Sequence, residues 1–486
     1  MSEELERLYS IYKQASSVTS DPKQPNSGSL YVSLKNFRPK KPILAFAWHI
    51  WTWLELNAPG LRKYAIKMGH LMGEKASVEA LDYVYDGNAY VKQALDNGAA
   101  YALTDNPKVS YPPQTVHVAD ATETLYDLAR HHRKHIQHPI IGITGSVGKT
   151  TTTNLVHAIL GSEKKAYMQG GRNTPAANSI NLLNIPHDAD AAVFEMGTLK
   201  PGLLAGACDI IRPTHAIITT INYAHMDTFR DLAEIQTSKW EMFEHIIHSD
   251  STAFLNMNHE WLASKADLLP NKVTYGCNPA YDIHGHMLSA DPYLKMRWYP
   301  NNQEEPIDIQ TRLAGQHNVD NILAGIAVGS HFGLSNELIK YAIENFETVS
   351  HRSEIFYSGS NTIYCETYQS NPTSTKFNLK SFENFSSKRK VLIIGPIART
   401  PSDHIIYDEI IDQIKSMDLD QIFFLTGEYD RFRDQNIGVH VDGREEIKVW
   451  LEENRPEDTC FMLNFYDGYY DVRSLFQENG KGSQAV

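Results

Sequence analysis

The stretch Ile140-Ile-Gly-Ile-Thr-Gly-Ser-Val-Gly-Lys-Thr-Thr-Thr-Thr-Asn154 decides the fold of the central part of this chain. Its apolar beginning, residues 139–143, predicts a buried strand, and the run that continues through Leu155 and Leu160 predicts a helix. A glycine-bearing turn that ends in Gly148-Lys149-Thr150 separates the two. This order is typical of a phosphate-binding loop, in which backbone N–H groups at a helix N-terminus bind phosphate oxygens.

Two side chains of the loop have expected roles. Lys149 is expected to reach the β and γ phosphates of a nucleotide, and the Thr150 hydroxyl is expected to bind Mg²⁺. The standard pattern places a glycine at position 143, but this chain has Ile143 there and Gly145 two residues later. The loop is therefore a variant, which narrows the choice of protein family.

Length and charge limit the classes of protein that remain. A chain of 486 residues is too long for one core, so two to four domains are expected, and three is the natural division. The net charge of -13 argues against general nucleic-acid binding. The four cysteines lie far apart without metal-binding spacing, which indicates reduced thiols in a cytoplasmic protein.

No segment has the roughly 18 uncharged apolar residues of a membrane span, and the acidic N-terminus lacks the apolar core of a signal peptide. The most apolar candidate is residues 43–56, which hold Trp48, Trp51 and Trp53 but also His49 and Glu55. A buried helix or a surface for a protein partner is the favoured interpretation of this Trp-rich stretch, over membrane contact.

Predicted strands alternate with predicted helices along most of the chain, which indicates an α/β protein with parallel-rich sheets. We expect three domains: residues 1–136 with an insertion at 38–85, a central P-loop ATPase domain at 137–349, and a Rossmann-like C-terminal domain at 350–486. The polar, histidine-rich run at residues 131–138 is the expected linker after the first domain.

Several further motifs follow the loop in a fixed order, and they are Phe194-Glu-Met-Gly197, Thr219–Phe229, Ile235–Phe243, Leu313–Ala324, His351-Arg-Ser-Glu354 and Glu366–Pro372. Together with Thr144–Thr150 they resemble the Mur ligase superfamily, which includes the peptidoglycan ligases and folylpolyglutamate synthase. The series is most similar to the MurF ligases, which add D-alanyl-D-alanine to a UDP-muramoyl tripeptide. Residues 27–34 and 86–99 resemble the N-terminal nucleotide-sugar domain of that group.

The resemblance implies ATP-dependent amide formation, in which a carboxylate takes the γ-phosphoryl group and an amine attacks the resulting acyl phosphate. It implies catalytic roles for Lys149, Lys239, His225 and Arg352. It also implies two Mg²⁺ sites formed by Thr150, Glu195, His225 and Lys239, with Lys239 carbamylated. The spacing of the sequence independently predicts that Lys239 is buried, because it lies four residues after Ile235 and four before Phe243 on the same face of a helix. Burial disfavours the charged form of a lysine.

The implied nucleotide site is the larger part of the predicted set. Its members are Thr144, Gly145, Ser146, Val147, Gly148, Lys149, Thr150, Thr151, His317, Asn318, Asn321, Arg352 and Glu366. Asn318 has a second interpretation as a helix N-cap. Glu366 stands where the family usually has aspartate, which leaves its reach to the nucleotide open. Asn173, Thr174 and Asn371 are the candidates for substrate contact.

Departures from the MurF pattern concentrate at substrate positions. Ala177 replaces an expected glycine, Asp21-Pro22-Lys23 replaces Asp-Ser-Arg, and Asn464-Phe-Tyr-Asp-Gly468 replaces a C-terminal Lys-Gly-Ser. The acid, a nucleotide-sugar peptide or a related carboxylate, and the amine, an amino acid or dipeptide, therefore stay open. Two alternatives remain: a γ-glutamyl ligase of the folylpolyglutamate type, and a non-catalytic nucleotide-binding scaffold. A monomer is expected.

Overall fold

The structure, a computed structural model, describes residues 3–23, 27–39, 81–226, 228–247, 249–300, 305–347, 353–367, 370–397, 400, 404–425, 427–454, 456–465 and 475–476. The Trp-rich stretch 43–56, most of the insertion 38–85 and Arg352 lie outside these residues. The chain divides into two compact units, of which one is Met1–Ile136 with Ser179–Asn184 and the other is Gln137–Asn178 with Ile185–Val486. The three predicted domains, with boundaries at 136–137 and 349–350, stay a prediction.

The first unit contains a parallel four-stranded sheet of order β1-β2-β5-β6 and a separate antiparallel pair, β3 and β4. Its strands are β1 (Val18–Thr19), β2 (Leu30–Val32), β3 (Lys35–Pro39), β4 (Leu81–Asp86), β5 (Tyr101–Thr104) and β6 (Thr115–His117), and its helices are α1 (Glu3–Gln14), α2 (Val91–Asp96) and α3 (Ala121–Arg133). The run at 131–138 is only partly the expected linker. His131 and His132 are buried in the last turn of α3, where Tyr9 and Tyr12 of α1 contact His132.

A nine-stranded sheet of order β15-β14-β13-β12-β11-β10-β7-β9-β8 forms the first layer of the second unit. Its strands are β7 (Ile140–Thr144), β8 (Ala166–Met168), β9 (Ala191–Glu195), β10 (His215–Ile218), β11 (Thr252–Asn256), β12 (Lys272–Gly276), β13 (Ile283–Ala290), β14 (Tyr293–Tyr299) and β15 (Ile307–Ala314). Strands β7 to β13 run parallel, and β14 and β15 extend the sheet antiparallel.

The helices of this part are α4 (Lys149–Gly161), α5 (Pro175–Leu183), α6 (Leu203–Ile211), α7 (Leu232–Ile247), α8 (Glu260–Ala263), α9 (Asn318–His331) and α10 (Asn336–Glu344). All five residues of β7 are buried, as expected for a central parallel strand covered on both faces. Within the described residues, no helix has the length and apolar character needed to cross a bilayer.

A six-stranded sheet of order β16-β17-β21-β18-β19-β20 follows, parallel except for the antiparallel edge strand β16. Its strands are β16 (Glu354–Ser358), β17 (Asn361–Glu366), β18 (Arg389–Ile394), β19 (Gln421–Leu425), β20 (Val439–Val441) and β21 (Thr459–Asn464), and its helices are α11 (Pro372–Glu383), α12 (Ile406–Ser416) and α13 (Arg444–Asn454). Alternating strands and helices with a parallel core confirm the predicted α/β class.

Helix α4, which follows the phosphate-type loop, packs against α9 and α10 through glycines. A Cβ atom built on Gly325 would lie 2.8 Å from Ile159 Cδ1, and one on Gly329 would lie 2.8 Å from Ile159 Cγ2 and 2.9 Å from Ile339 Cγ1. The two glycines therefore permit a helix separation that any larger residue would increase. This packing fixes the position of α4 against the sheet.

We predict that Gly329→Leu lowers the free energy of unfolding by about 1–3 kcal/mol, because the new side chain overpacks the α4–α9–α10 contact. Gly206→Leu is the matched control, since Gly206 also lies inside a helix but is exposed, with no atom within 4 Å of its Cβ position. Chemical denaturation followed by circular dichroism measures both. Equal stability of the two variants would contradict the packing argument.

Candidate active site

The loop between β7 and α4 depends on two glycines with positive φ angles, +150° at Gly145 and +85° at Gly148. A Cβ atom on Gly145 would collide with Thr219 Oγ1, and one on Gly148 would collide with Asn321 Oδ1. The loop therefore needs a residue without a side chain at both positions, because the end of β10 lies against Gly145 and the first turn of α9 lies against Gly148.

Hydrogen bonds attach the loop to the segment after β10. The Ser146 N–H donates to Thr220 O at 2.8 Å, and Ser146 Oγ donates to Asn222 O at 2.7 Å. The Lys149 ammonium donates to Gly145 O at 2.9 Å and to Ser146 O at 3.2 Å, which holds the cation directly beside the loop. The first turn of α4 and this lysine together make the loop electropositive.

Glu195 occupies the carboxyl end of β9, beside the start of α4. Thr150 Oγ1 donates to Glu195 Oε2 at 2.7 Å, and Asn173 Nδ2 donates to Glu195 Oε1 at 2.7 Å. A carboxylate and a hydroxyl at this separation are the oxygen ligands that Mg²⁺ prefers. The structure thus brings together Thr150 and Glu195 of the predicted metal set, while Asn173, predicted to contact substrate, orients the carboxylate.

Lys239 lies in α7 with only 2% of its surface exposed, which confirms the predicted buried position. Burial lowers the pKa of Lys239 well below its usual value, and the positive charge of Lys149 lowers it further, while Glu195 acts in the opposite direction. Burial therefore favours the neutral amine, which is the form able to react with CO₂.

His225 has a positive φ of +57° and is partly exposed. Its carbonyl accepts hydrogen bonds from the N–H groups of Thr228 at 3.0 Å and Phe229 at 3.1 Å, which closes a turn. In the part of the chain that the structure describes, no three His, Cys, Asp or Glu side chains group closely enough to hold a metal ion. The metal role of His225 accordingly stays a prediction.

The first turn of α9 carries a directional chain of hydrogen bonds. Thr152 Oγ1 donates to Asn321 Oδ1 at 3.1 Å, Asn321 Nδ2 donates to Asn318 Oδ1 at 2.8 Å, and Asn318 Nδ2 donates to Ala314 O at 2.7 Å. The N-cap residue is His317, so the N-cap interpretation of Asn318 is wrong. Asn318 is buried, and its side chain contacts both Asn321 and the imidazole of His317.

Asn318 Nδ2 also approaches His317 Nε2 at 3.3 Å, and burial lowers the pKa of His317 to about 4. A neutral imidazole that accepts at Nε2 carries its proton on Nδ1. The His317 ring lies parallel to the ring of Phe377 in α11, with centroids 5.9 Å apart and planes 7° from parallel.

The six-stranded sheet contributes the opposite wall. Glu366 is buried at the end of β17, and its Oε2 accepts hydrogen bonds from Ser353 N at 2.8 Å and from Ser353 Oγ at 3.1 Å. Asn371 is the N-cap of α11 and forms a capping box with Ser374. Glu366 therefore anchors the residue that follows Arg352, and Asn371 starts a helix whose N-terminus faces the same space.

One cleft collects these elements. The residues lining the cleft are Ser146, Val147, Gly148, Lys149, Thr150, Thr151, Glu195, His317, Asn321, Ser353, Glu366, Asn371, Ser374, Phe377 and Asn378. The N-terminal ends of α4, α9 and α11 all reach it, and three helix N-termini favour bound anions such as phosphates. The predicted residues Thr144, Gly145, Asn173, Thr174, Asn318, His225 and Lys239 are not in this lining.

Sequence reasoning missed Ser353, Ser374, Phe377 and Asn378. The signal was present for the last three, because positions three, six and seven after the N-cap Asn371 share one helix face. Thr174 has a local structural contact, and its role in substrate contact stays a prediction. Its Oγ1 accepts a hydrogen bond from Ala177 N at 3.3 Å, which closes the turn that begins α5.

Comparison with known proteins agrees with this architecture. Residues 143–329 match the family model described as the Mur ligase middle domain. The UDP-N-acetylmuramoyl-tripeptide–D-alanyl-D-alanine ligase of Bacillus subtilis (strain 168) is 28% identical over 320 residues, which cover 64% of this chain and 68% of that protein. The crystal structure of MurF from Acinetobacter baumannii matches with a TM-score of 0.76 at 18% identity, covering 97% of each chain.

Folylpolyglutamate synthase from Thermotoga maritima is a weaker match, with a TM-score of 0.53 at 14% identity over 72% of this chain and 92% of that one. Through its fold and its phosphate-type loop, the segment 143–329 thus matches the middle domain of the Mur ligase superfamily, and the relatives that the chain resembles are named as ligases. The structural match extends over 97% of the chain, so its fold is similar to the three-domain MurF fold along nearly its whole length.

We predict that the His317 imidazole stays neutral, protonated on Nδ1, until the pH approaches its pKa of about 4. Because the folded pKa lies below the ordinary value of 6.5, the unfolded chain binds the proton first. His317 therefore contributes nothing to pH dependence above pH 6.5, and its contribution lowers stability as the pH falls from 6.5 toward 4. Long-range ¹H–¹⁵N NMR, assigned with a His317→Gln variant, reports both tautomer and titration. Titration near pH 6.5 would contradict the burial argument.

Proposed function

We propose that this protein is a MurF-like ligase that uses ATP and Mg²⁺ to join a carboxylate substrate to an amino acid or dipeptide through an acyl phosphate. The observation that carries the proposal is the single cleft in which Lys149 and Thr150 of the loop, Glu195 of β9 and the N-terminus of α11 meet. Phosphoryl transfer needs little from a protein except positioning and neutralisation of charge, and these groups supply both.

The loop and the three helix N-termini would bind the triphosphate. The Lys149 ammonium already lies beside the loop, where it donates to Gly145 O and Ser146 O. When the loop binds a triphosphate, the ammonium would give up these two contacts and donate to the β and γ phosphates instead. The backbone N–H groups from Gly148 to Thr151 would donate to phosphate oxygens. Arg352, next to the anchored Ser353, would add a positive charge from the C-terminal domain.

Thr150 and Glu195 would hold Mg²⁺, with His225 and a carbamate on Lys239 as candidates for a second ion. The ion supplies neutralisation of the charge that develops on the transferring phosphoryl group. Lys239 fits the carbamate because its amine is buried, and this burial lowers its pKa and favours the neutral form. Addition of CO₂ to the amine forms a C–N bond and releases one proton, leaving an anionic carbamate.

The acid would be a UDP-muramoyl peptide or a related nucleotide-sugar carboxylate, and the amine would attack from the C-terminal domain. Asn173 and Thr174, which do not line the cleft, would act at the edge of the substrate site, and Asn371 would act from the cleft wall. This proposal includes a cytoplasmic location and a monomeric state. A protein partner at residues 43–56 stays a prediction, and nucleic acid is not expected as a ligand.

Two alternatives predict different reactions. A γ-glutamyl ligase of the folylpolyglutamate type would extend a glutamate chain, but the N-terminal unit and the weaker structural match favour the MurF type. A non-catalytic scaffold would bind nucleotide without turnover, but the joint presence of Lys149, Thr150, Glu195 and buried Lys239 favours an enzyme.

We predict that phosphate release from ATP requires an acid and an amine together. The assay tests UDP-muramoyl tripeptide with D-alanyl-D-alanine against a panel of other acids and amino acids, and mass spectrometry identifies the product. Release that depends on both substrates supports the ligase. ATP binding without turnover on any pair would favour the scaffold, and glutamate-chain extension would favour the γ-glutamyl ligase.

Lys149→Ala should lower kcat by at least about 10³-fold, because an electrostatic contact to the transferring phosphoryl group contributes about 4 kcal/mol or more. Lys165→Ala is the control, since Lys165 is exposed and pairs with Asp188 on the surface. Steady-state kinetics with the substrate pair identified above measure both variants. Full activity of Lys149→Ala would remove the loop from the proposed mechanism.

Lys239→Ala should lose most activity and should regain part of it when a short carboxylate such as acetate is added, because the carboxylate replaces the carbamate anion. Lys265→Ala, which removes a lysine stacked on Trp261 at 4.9 Å, serves as the control. The assay measures turnover with and without the carboxylate at constant ionic strength. Wild-type activity in Lys239→Ala would contradict the carbamate role.

A further inference from the structure

Two histidines meet at the end of the nine-stranded sheet that lies opposite the cleft. His215 is the first residue of β10, which runs parallel to β7 and so begins at the end of the sheet away from the loop. His331 is the last residue of α9, a helix that starts at the cleft with Asn318. At about 1.5 Å per residue, the length of α9 places His331 about 20 Å from that start. The two histidines are therefore separate from the nucleotide cleft.

The separation of their ring nitrogens fits a shared metal ion. Nε2 of His215 lies 3.1 Å from Nε2 of His331. An imidazole nitrogen binds Zn²⁺ at about 2.0–2.1 Å, so two nitrogens at this separation subtend an angle of about 100° at the ion. That angle lies between those of square-planar and tetrahedral coordination. A single N–H···N hydrogen bond gives a similar separation, so the surroundings of the pair decide between the two.

The other ring nitrogen of His215 has a partner suited to a metal ligand. Thr214 Oγ1 lies 2.9 Å from His215 Nδ1, donates to Ile140 O at 3.2 Å and accepts from Ile140 N at 3.0 Å. A hydroxyl that gives its one proton to Ile140 O accepts from Nδ1–H, which leaves the Nε2 lone pair of His215 directed at His331. Metal-bound histidines in proteins are oriented by hydrogen bonds of this kind at the outer nitrogen.

Aromatic packing holds both imidazole rings in place. The ring of Phe254 in β11 lies 6.0 Å from the ring of His215 and 5.4 Å from that of His331, measured between centroids. The ring of Phe332 lies 4.9 Å and 5.3 Å from the same two rings. Burial, and then the neighbouring His331, lower the pKa of His215 to about 4, and burial also lowers the pKa of His331. Both imidazoles are therefore in the neutral form that binds metal ions.

A second histidine pair, in the first unit, lacks this arrangement. Nε2 of His131 lies 3.4 Å from Nε2 of His135, but Nδ1 of His131 is buried and has no hydrogen-bond partner among the described residues. A metal ion on Nε2 of His131 would move the proton to Nδ1 and leave a buried donor unpaired, which is costly. This pair suits an N–H···N hydrogen bond with the proton on Nε2 of His131, and it provides a matched control.

We propose that His215 and His331 form a binding site for a divalent transition-metal ion of the class that prefers imidazole, such as Zn²⁺ or Cu²⁺. In the part of the chain that the structure describes, no third His, Cys, Asp or Glu side chain completes a set of three, so water fills the other positions of the ion. The ion ties the first residue of β10 to the last residue of α9. This inference does not rest on the proposed function.

The test measures Zn²⁺ binding to the full-length protein by calorimetry, after treatment with a chelator and with Mg²⁺ in excess. Mg²⁺ prefers oxygen ligands, so it saturates carboxylate sites without competing for imidazole. We expect the wild-type protein to bind one Zn²⁺ ion that His215→Gln and His331→Gln each bind about 10-fold or more weakly, since even loss of a residue that only orients a ligand costs about 10–100-fold. His135→Gln is the control and should keep the wild-type affinity.

Cu²⁺ gives a readout that a merely structural role of the histidines would not change. The electron paramagnetic resonance spectrum of the protein with one equivalent of Cu²⁺ should show coupling to two nitrogens in the wild type and to one in His331→Gln. Thermal melting without metal reports the folding of each variant, and His331 is exposed, so its replacement should leave the fold intact. The nitrogen count in the wild type needs no variant at all.

Every outcome decides for or against the site. Loss of Zn²⁺ binding in His215→Gln and His331→Gln, but not in His135→Gln, supports it. Equal affinity of wild type and His331→Gln overturns it, as does coupling of Cu²⁺ to fewer than two nitrogens in the wild type. Absence of Zn²⁺ binding by the wild type reduces the pair to a hydrogen bond and also overturns the site. None of these results bears on phosphate release, so the ligase proposal is tested separately.

Discussion

The close approach of the phosphate-type loop to its two neighbours is the constraint on which the rest of the site depends. Gly145 lies against Thr219 at the end of β10, and Gly148 lies against Asn321 in the first turn of α9. Neither contact leaves room for a Cβ atom. The loop is thereby held between a strand end and a helix N-terminus, and the backbone N–H groups of α4 are oriented before any ligand binds, which lowers the cost of binding an anion.

The contact between Gly148 and Asn321 also connects the loop to the candidate nucleotide-binding residues of α9. Asn321, which touches Gly148, accepts from Thr152 and donates to Asn318, and Asn318 in turn donates to Ala314 O and approaches His317. Ala314 O can only accept a hydrogen bond, and this fixes which end of the Asn318 side chain donates and, through Asn318, which end of the Asn321 side chain donates. A change at Asn318 would therefore alter the tautomer of His317 without touching a ligand, as expected of a residue that positions others.

Sequence alone predicted most of the architecture because the decisive elements are local. The buried strand predicted at residues 139–143 is observed as β7 (Ile140–Thr144), and the helix predicted through Leu155 and Leu160 is observed as α4 (Lys149–Gly161). The sequence could not reveal which side chains share a cleft, since this depends on how two sheets meet. The sequence identified Asn318 and Glu366 as candidates for nucleotide contact, but it could not predict what their side chains bind in the fold. The Asn318 side chain contacts His317, and the Glu366 side chain binds Ser353. The spacing of Phe377 and Asn378 after Asn371 places them on one helix face, but the sequence does not show that this face lies opposite His317.

The two halves of the expected reaction differ in how firmly the chain holds their residues. On the nucleotide side, Thr150, Glu195 and Lys239 are fixed by short hydrogen bonds or by full burial. On the substrate side, Thr174 and Asn371 use their side chains to begin helices, and Asn173 uses its amide to orient Glu195. A group already engaged in local structure has less capacity to choose a ligand. For the proposed ligation, the acid and the amine would therefore be chosen by residues other than these, and the candidates are the positions where the sequence departs from the MurF pattern, Ala177 and the segment that follows Asn464.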